Sequence, residues 1–255
     1  EDLDLTLRST LRGSRGIYMP SLECPNEVPR ELQAFKMQQR RWAMGSAQTM
    51  LHLFPSVLRH GNFVVRANNL FSLAGYLVHP LLLFYAILWP ILVLNGTNLT
   101  YLWACQIALL LGNLAAILGL VTTYKETGVT GSKRHAALQV GLSMALGVSM
   151  MINNTIAFAS GLRGRGGVFA RTPKAGADQK TNNSGTALPL HWSIILEACM
   201  AIYALIAAGM MLWHGFIMEF QQTFFFGSLM FGLVAYQLYM AVQSSLRRTS
   251  VLKHS

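Results

Sequence analysis

The sequence predicts a mainly α-helical integral membrane protein, and three observations support that fold class. Of the 255 residues, 53% are hydrophobic and 12% are charged, about half the charged fraction of a typical soluble domain. Long apolar stretches along the chain contain no Lys or Arg. The net charge of +10 comes from basic residues that lie mostly between these stretches, a pattern that governs membrane topology and does not indicate a nucleic-acid partner.

The first 50 residues are polar and basic. The chain begins Glu1-Asp2-Leu3, without a Met or a signal-peptide pattern, so we expect a fragment that begins within a domain. Good helix formers and few breakers from Pro29 to about Met50 predict a helix. Residues 51–68 mix apolar side chains with Arg and His, which predicts an amphipathic segment at the membrane surface.

Membrane-spanning segments are predicted at four places. Each holds twenty or more mostly apolar residues, enough to cross a hydrocarbon core about 30 Å thick. Trp and Tyr side chains lie near several of their ends, as in an interfacial belt. The four segments are 70–94, 100–122, 192–213 and 222–243.

A fifth apolar segment, 136–160, is ambiguous, and charge favours one placement. If it lies in the interface, all twenty Lys and Arg fall on one side of the membrane, which the positive-inside rule favours. The polar pair Asn153-Asn154 also argues against lipid contact. We therefore expect 136–160 to be interfacial or re-entrant, and the Gly-, Asn- and Thr-rich residues 161–190 to form an exposed loop.

Gln38, Arg41 and Trp42 are the first candidates for chemistry. At spacings i, i+3 and i+4 they share one face of a helix. Arg can grip a diphosphate, Trp offers a flat face to a sugar ring, and Gln can bond hydroxyls. On these residues alone, a basic interfacial helix with an anchoring Trp remains an equal alternative.

Glu1-Asp2 is the second candidate, because Asp occurs only at positions 2, 4 and 178. A glycosyl transfer with inversion needs a general base for the acceptor hydroxyl, and Asp2 could serve. Acidic residues are also common at helix N-termini. Metal ligation has little support, because the three Cys are far apart and the seven His lack ligand spacing.

Glu1-Asp2 followed by Gln38-x-x-Arg41-Trp42 resembles the paired signature of processive family 2 glycosyltransferases. This family includes cellulose synthases, cellulose-synthase-like mannan and glucan synthases, hyaluronan synthase and chitin synthase. The flanking sequence, Glu23 to Pro29 and Phe35 to Gly45, is most similar to the cellulose-synthase-like branch. The resemblance assigns Glu1-Asp2 to catalysis, so we do not assign Asp2-Leu3-Asp4 as a D-x-D metal pair, and we assign no metal ligand.

A third motif lies in the predicted loop. Phe169, Thr172 and Lys174 match the gating-loop motif F-x-V-T-x-K of cellulose synthases, and Arg171 stands at the valine position. The resemblance implies that this loop covers the nucleotide, where Arg171, Thr172 and Lys174 would meet the diphosphate. Without the other motifs, a basic juxtamembrane loop attracted to anionic lipid would be the better interpretation.

The resemblance implies a domain order for nearly the whole chain, with the nucleotide-binding part of the enzyme upstream of it. The fold would be the end of a GT-A-like domain followed by interfacial helices and about four transmembrane helices. The implied parts are the end of the catalytic domain with the acceptor-site helix (1–50), an interfacial segment (51–68), a transmembrane pair (69–123), an interfacial helix (136–162), a gating-type loop (163–190), a second transmembrane pair (191–244) and a basic cytoplasmic tail (245–255).

The implied activity is polymerisation of a β-linked glucan or mannan from a nucleotide-sugar, with translocation through a transmembrane channel. The expected partners are a UDP- or GDP-linked donor, the growing polysaccharide and the lipid bilayer. Mg²⁺ or Mn²⁺ would be held mostly by the missing N-terminal part, so this fragment alone should be inactive. We expect a bacterial inner membrane rather than the Golgi, with the catalytic motifs and basic loops cytoplasmic.

Two alternatives stay open. A non-processive family 2 enzyme, which transfers one sugar to a lipid, also uses the Q-x-x-R-W motif. A transporter or membrane anchor would need no chemistry, although the spanning segments hold one acidic residue, Glu197, and no Lys or Arg, which disfavours ion-coupled transport. The sugar, the linkage and any accessory subunits are not specified by the sequence.

Overall fold

In a computed structural model of the chain, the described residues are 2–17, 32–96, 133–164 and 191–252, with a few isolated positions between them. These residues are mainly helical, and none of them forms a strand. The predicted helical class is therefore confirmed. Glu1, most of the predicted span 100–122, and residues 165–190 of the predicted loop lie outside the described residues.

The helices follow the order of the predicted elements. A single 3₁₀ turn, Gly75–Leu77, makes one continuous helical run from Phe63 to Leu94. The helices with described bounds are α1 (Asp2–Leu11), α2 (Leu32–Arg59), α3 (Phe63–Ala74), α4 (Val78–Leu94), α5 (Lys133–Leu162), α6 (Ser193–Trp213) and α7 (Ile217–Leu252).

The α2 helix is longer than the sequence indicated. It continues past Met50 and through Pro55 to Arg59. A proline inside a helix removes one backbone donor and disfavours the turn before it. Here the cost is offset because Leu53 and Val57 are buried in an apolar cluster, and burying such side chains stabilises by about 1.5–3 kcal/mol each.

The same cluster holds α1 in place. Leu3, Leu7 and Leu11 recur every fourth residue, so they form one stripe along α1. Leu7 is buried with Leu53, Val57 and Leu73, and Leu3, Leu11, Met50 and Leu70 pack around them. The helix that begins at Asp2 is thereby fixed to the second half of α2 and to α3.

The turn between α2 and α3 depends on two residues. Gly61 has φ +83°, and a side chain there would also meet Val65. Asn62 caps α3, because its side chain accepts a hydrogen bond of 3.0 Å from the backbone N–H of Val65. Such caps contribute about 1 kcal/mol to a helix.

Close contact joins α5 to α2. Gly161 packs so tightly that a Cβ there would lie 2.5 Å from the Met44 carbonyl oxygen and 2.8 Å from the Ala47 Cβ. At the other end, the Asn153 side chain donates to the Lys36 carbonyl at 3.0 Å. Eight residues separate the two contacts on each helix, so the helices run in the same direction in a fixed register over about 12 Å.

Two helical segments are long and apolar enough to cross a membrane, judged by length and composition among the described residues. They are Phe63–Leu94 and Ser193–Trp213, which contain or match two of the four predicted spans. The predicted span 222–243 lies in α7, where the shorter apolar helix Phe226–Val242 is found. The number four therefore stays a prediction, as does the interfacial placement of 136–160.

The chain divides into two compact units. The first comprises residues 1–83, 150–196 and 234–255, and holds α1, α2 and α3 with parts of the later helices. The second comprises residues 84–149 and 197–233. In the second unit, Trp89, Val93 and Met211 form a buried cluster, the Tyr203 hydroxyl donates to the Ile87 carbonyl at 2.6 Å, and Gly227 packs against Ala204 and Leu205.

We predict that Gly161→Ala destabilises the protein by about 1–3 kcal/mol, because the new methyl group overpacks the contact with Met44 and Ala47. Thermal unfolding of the purified protein in detergent measures the effect. Gly147→Ala is the matched control in the same helix, since open space surrounds that position. Alanine there should be neutral or stabilising, by up to about 1 kcal/mol. Equal effects of the two substitutions would contradict the close α2–α5 contact.

Candidate functional site

The Q-x-x-R-W residues lie together on one face of α2. At 100° per residue, Gln38, Arg41 and Gly45 fall within about 60° of one another, and Trp42 lies beside them. Gln38 and Arg41 are half-buried, and Trp42 is 46% exposed. We call this side of α2, made by Gln38, Arg41, Trp42 and Gly45, the open face. It presents a guanidinium, an amide and an indole ring next to one another.

A second side of α2 faces the helical run that follows it. The Tyr76 hydroxyl donates a 2.9 Å hydrogen bond to Gln39 Oε1. The Ser46 hydroxyl, which is buried, donates to the Leu73 carbonyl at 3.3 Å. Together with Leu53 and the apolar cluster around it, these bonds hold this side of α2 along its length.

A third side of α2 enters a buried polar cluster. Lys36 is only 3% exposed, and its Nζ donates to Gln237 Oε1 at 2.8 Å. The same oxygen accepts from Gln33 Nε2 at 3.2 Å. A buried ammonium needs such partners, because burial in an apolar setting disfavours its charge. The partners come from α2 and α7, so the cluster connects two helices distant in sequence.

The cluster continues into α5 and α4. Asn153 and Asn154 are 2% and 0% exposed, and the Asn153 amide donates to the Lys36 carbonyl and to Asn154 Oδ1, both at 3.0 Å. Asn154 Nδ2 lies 3.0 Å from His79 Nε2, a contact in which the amide donates and the ring nitrogen accepts. We call Gln33, Lys36, His79, Asn153, Asn154 and Gln237 the polar cluster.

Arg40 is the basic neighbour of Arg41 in the motif, and its setting differs. Its Nη1 is buried and has no hydrogen-bond partner among the residues that the structure describes. Burial lowers the pKa of this guanidinium, which nonetheless remains charged at neutral pH. In the register set by Asn153 and Gly161, small Ala157 lies at the level of Arg40, and Ala157 is itself fully buried.

Both carboxylates of α1, Asp2 and Asp4, lie in its first turn. Asp2 is exposed in the first turn of α1. Asp4, about half a turn later, accepts a 2.6 Å hydrogen bond from Arg8 Nε. This bond, with a smaller contribution from His52, lowers the pKa of Asp4. His52 lies on the open-face side of α2, about 16 Å along the axis from Arg41. Asp4 is therefore engaged within α1 by Arg8 rather than paired with Asp2 as a D-x-D motif.

The remaining predicted site residues lie outside the residues that the structure describes. These are Glu1 and the gating-loop residues Phe169, Arg171, Thr172 and Lys174, so their placement stays a prediction. The start of that loop is described, because α5 ends at Leu162, next to the contact of Gly161 with α2. The loop therefore leaves α5 close to Met44, two residues beyond Trp42.

Sequence reasoning missed most of the polar cluster. Lys36 lies within the Phe35–Gly45 segment that resembles the family, but its spacing did not indicate that it would be buried. The Asn153-Asn154 pair was a usable signal, since two adjacent amides in an apolar helix need polar partners. Gln237 and His79 gave no such signal, because single polar residues in apolar helices are common at many kinds of contact.

Among the described residues, His, Cys, Asp and Glu side chains do not gather in groups of three that could hold a metal ion. The residues present in this part of the chain therefore do not make a complete cation site, and no reaction step is assigned to a metal here.

Comparison with known proteins identifies a matching family and several relatives. The family model for glycosyl transferase family group 2 matches residues 1–119. Probable glucomannan 4-beta-mannosyltransferase 14 of Arabidopsis thaliana is 32% identical over 100 residues, covering 37% of this chain and 19% of the relative. Glucomannan 4-beta-mannosyltransferase 7 of the same plant is 36% identical over 62 residues, covering 24% and 11%.

A rice protein extends the set. Glucomannan 4-beta-mannosyltransferase 1 of Oryza sativa subsp. japonica is 32% identical over 60 residues, covering 24% of this chain and 12% of the relative. The matched region thus spans about a fifth or less of each relative's length. No solved structure is a significant match. The matches confirm the resemblance that the motifs predicted, to cellulose-synthase-like family 2 glycosyltransferases.

We predict that the Asp4–Arg8 pair stabilises α1 at neutral pH and loses its effect in acid. The Arg8 hydrogen bond lowers the pKa of Asp4 below its usual 3.8, so the contribution is present above that pH and lost as pH falls through the lowered value. The melting temperature of Asp4→Asn should be lower than that of the native protein at pH 6, and the two should converge as the pH falls through the lowered pKa of Asp4. The shift should be small, because the pair is exposed. A constant difference across this range would contradict it.

Proposed function

We propose that this chain, whose residues 1–119 match the model for glycosyl transferase family group 2, is the membrane part of an inverting, processive glycosyltransferase. The enzyme polymerises a β-linked glycan of the glucan or mannan type from a nucleotide-sugar and moves the product through its transmembrane helices. The observation that carries the proposal is the open face of α2, where Gln38, Arg41 and Trp42 are partly accessible side by side.

Trp42 holds the acceptor in this proposal. A sugar ring has apolar C–H faces that stack on an indole, and Trp42 leaves nearly half of its surface free for such a contact. Gln38, one turn earlier on the same face, can donate to or accept from the hydroxyls of that sugar. This places the terminal hydroxyl of the growing chain for attack.

Asp2 is the proposed general base, with Glu1 beside it. The acceptor hydroxyl oxygen forms a bond to the anomeric carbon of the donor while its proton passes to the Asp2 carboxylate. The bond from that carbon to the diphosphate oxygen breaks at the same time, and the nucleoside diphosphate leaves with the electron pair. Attack from the opposite face converts an α-linked donor into a β-linked product.

Arg41 is the proposed partner of the leaving diphosphate. Charge grows on the phosphate oxygens as the bond breaks, and a guanidinium held on a rigid helix stabilises that charge without reorganising. Arg171, Thr172 and Lys174 of the predicted gating loop would add to this site when the loop closes. The described start of the loop beside Met44 makes such an approach geometrically reasonable.

A divalent cation, Mg²⁺ or Mn²⁺, completes the proposal. If bound to the donor diphosphate, it would neutralise charge on the leaving group. None of its ligands is assigned to the described residues of this chain.

Membrane insertion and orientation are further parts of the proposal. Phe63–Leu94 and Ser193–Trp213 are the described helices long and apolar enough to span, and the positive-inside rule favours the cytoplasmic side for the catalytic motifs, because basic segments flank the apolar stretches. A bacterial inner membrane fits this arrangement better than the Golgi. Since the named relatives are mannosyltransferases of plants, GDP-mannose is the first donor to test, followed by UDP-glucose.

The alternative activity is transfer of a single sugar to a lipid. The open face of α2 alone fits either activity, since one acceptor sugar stacks on Trp42 in both. Size and solubility of the labelled product distinguish them: a soluble, lipid-free polymer supports the synthase, and label confined to a lipid extract supports single transfer. A transporter or anchor would incorporate no label.

We predict that membranes containing the complete enzyme incorporate label from one of GDP-mannose, UDP-glucose or UDP-N-acetylglucosamine into high-molecular-weight product. Asp2→Asn should lower incorporation by about 10²-fold or more, because the base is lost. Trp42→Ala should lower it by about 10-fold or more, because the acceptor loses its stacking surface.

Asp4→Asn is the matched control, since Asp4 lies in the same helical turn and is engaged by Arg8. It should retain most of the activity. Equal loss in Asp2→Asn and Asp4→Asn would contradict the assignment of Asp2 as base. No incorporation from any donor by a folded, metal-supplied preparation would contradict the proposed function.

A further inference from the structure

The polar cluster lies on the side of α2 turned away from the open face. Lys36 lies about 160° around the helix from Gln38 and about 140° from Arg41, by the 100° step per residue. Lys36 and Asn153 are almost completely buried. Residues buried this deeply do not touch a substrate bound at the open face, so any influence they have on the reaction acts through α2 itself.

Two features show that the cluster fixes the position of α2. The Asn153 amide donates to a backbone carbonyl of α2, that of Lys36, so the bond depends on the height of α2 along α5. The Lys36 Nζ bond to Gln237 depends on the rotation of α2, because it is made by a side chain at one angle around the helix. One contact therefore fixes translation and the other fixes rotation.

The contact at Gly161 supplies the second anchor. It holds Met44 against α5 at a separation that admits no side chain. With Asn153 at one end and Gly161 at the other, a slip by one residue, about 1.5 Å along the axis, would break the amide bond and force Gly161 against a different part of α2. Close packing makes such a contact bistable rather than continuously adjustable.

We propose that Lys36 and Asn153 are positioning residues that aim the open face of α2 at the reacting sugars. This inference rests on the proposed function. A displacement of about 1 Å in a reacting constellation can cost as much as 100-fold in rate, and a rotation of α2 would move Trp42 and Arg41 by a comparable amount. The members of the cluster are mostly buried and hydrogen-bond one another, as a preorganised support should.

The test uses the complete enzyme and two kinds of readout. Asn153→Asp keeps the shape of the side chain and removes the donor, and Lys36→Met keeps the stem and removes the ammonium. Both should lower the polymerisation rate at saturating donor by about 10- to 100-fold, while the KM for the donor stays within about twofold. Lys36→Arg, which restores a charged donor, should recover at least part of the rate.

Ser160→Ala is the matched control on α5. Its hydroxyl bonds within the same helix, to the Ile156 carbonyl, so its loss should leave rate and KM within about twofold of the native values. An equal fall in Ser160→Ala and Asn153→Asp would overturn the proposal, because the effect would then reflect general damage to α5.

Position is measured directly by spin labels. Cysteines introduced at exposed Met37 and Leu162, in protein whose three native cysteines are replaced, should give a narrow distance distribution. Asn153→Asp and Lys36→Met should broaden or shift it, and Ser160→Ala should not. An unchanged distribution alongside a lowered rate would overturn the positioning role. Failure to make polymer would refute the proposed function, while this distance comparison would still decide whether the cluster fixes α2.

Discussion

The packing of α2 on two of its sides is the constraint on which the rest of this structure depends. One side is held by Tyr76, by the Leu73 carbonyl and by the apolar cluster that also anchors α1. Another is held by α5 at Asn153 and Gly161. The side of α2 that these contacts do not cover carries the Q-x-x-R-W residues, which stay partly exposed.

This arrangement explains why a polar cluster is kept in an otherwise apolar setting. Apolar packing between helices is tolerant of small slips and rotations, because one aliphatic contact resembles the next. Hydrogen bonds are directional and lose most of their value when misaligned, and a buried polar group without its partner is costly. Lys36, Asn153 and Gln237 thus specify one arrangement of three helices more sharply than apolar side chains would.

The sequence was a good guide where local pattern decides the outcome. Apolar stretches predicted the helices of Phe63–Leu94 and Ser193–Trp213, and the i, i+3, i+4 spacing placed Gln38, Arg41 and Trp42 on one face. It was a poor guide to the length of α2, because tertiary burial of Leu53 and Val57 overrides the local effect of Pro55. The sequence also did not predict the hydrogen bond between Lys36 and Gln237, because the two residues are 201 positions apart and their contact depends on how the helices pack.

We propose that the open face of α2 contacts the sugar acceptor, while the opposite side of the helix is buried against α5. Single cysteines at Gln38 and Gly45, compared with Ala43 and Ala47, test it when reacted with a water-soluble thiol reagent in the complete enzyme. The two open-face positions should react, and a β-linked oligosaccharide acceptor with nucleoside diphosphate should protect them. Ala43 and Ala47, which are fully buried, should stay unreactive throughout. Equal reactivity at all four positions, or no protection at Gln38 and Gly45, would contradict the account.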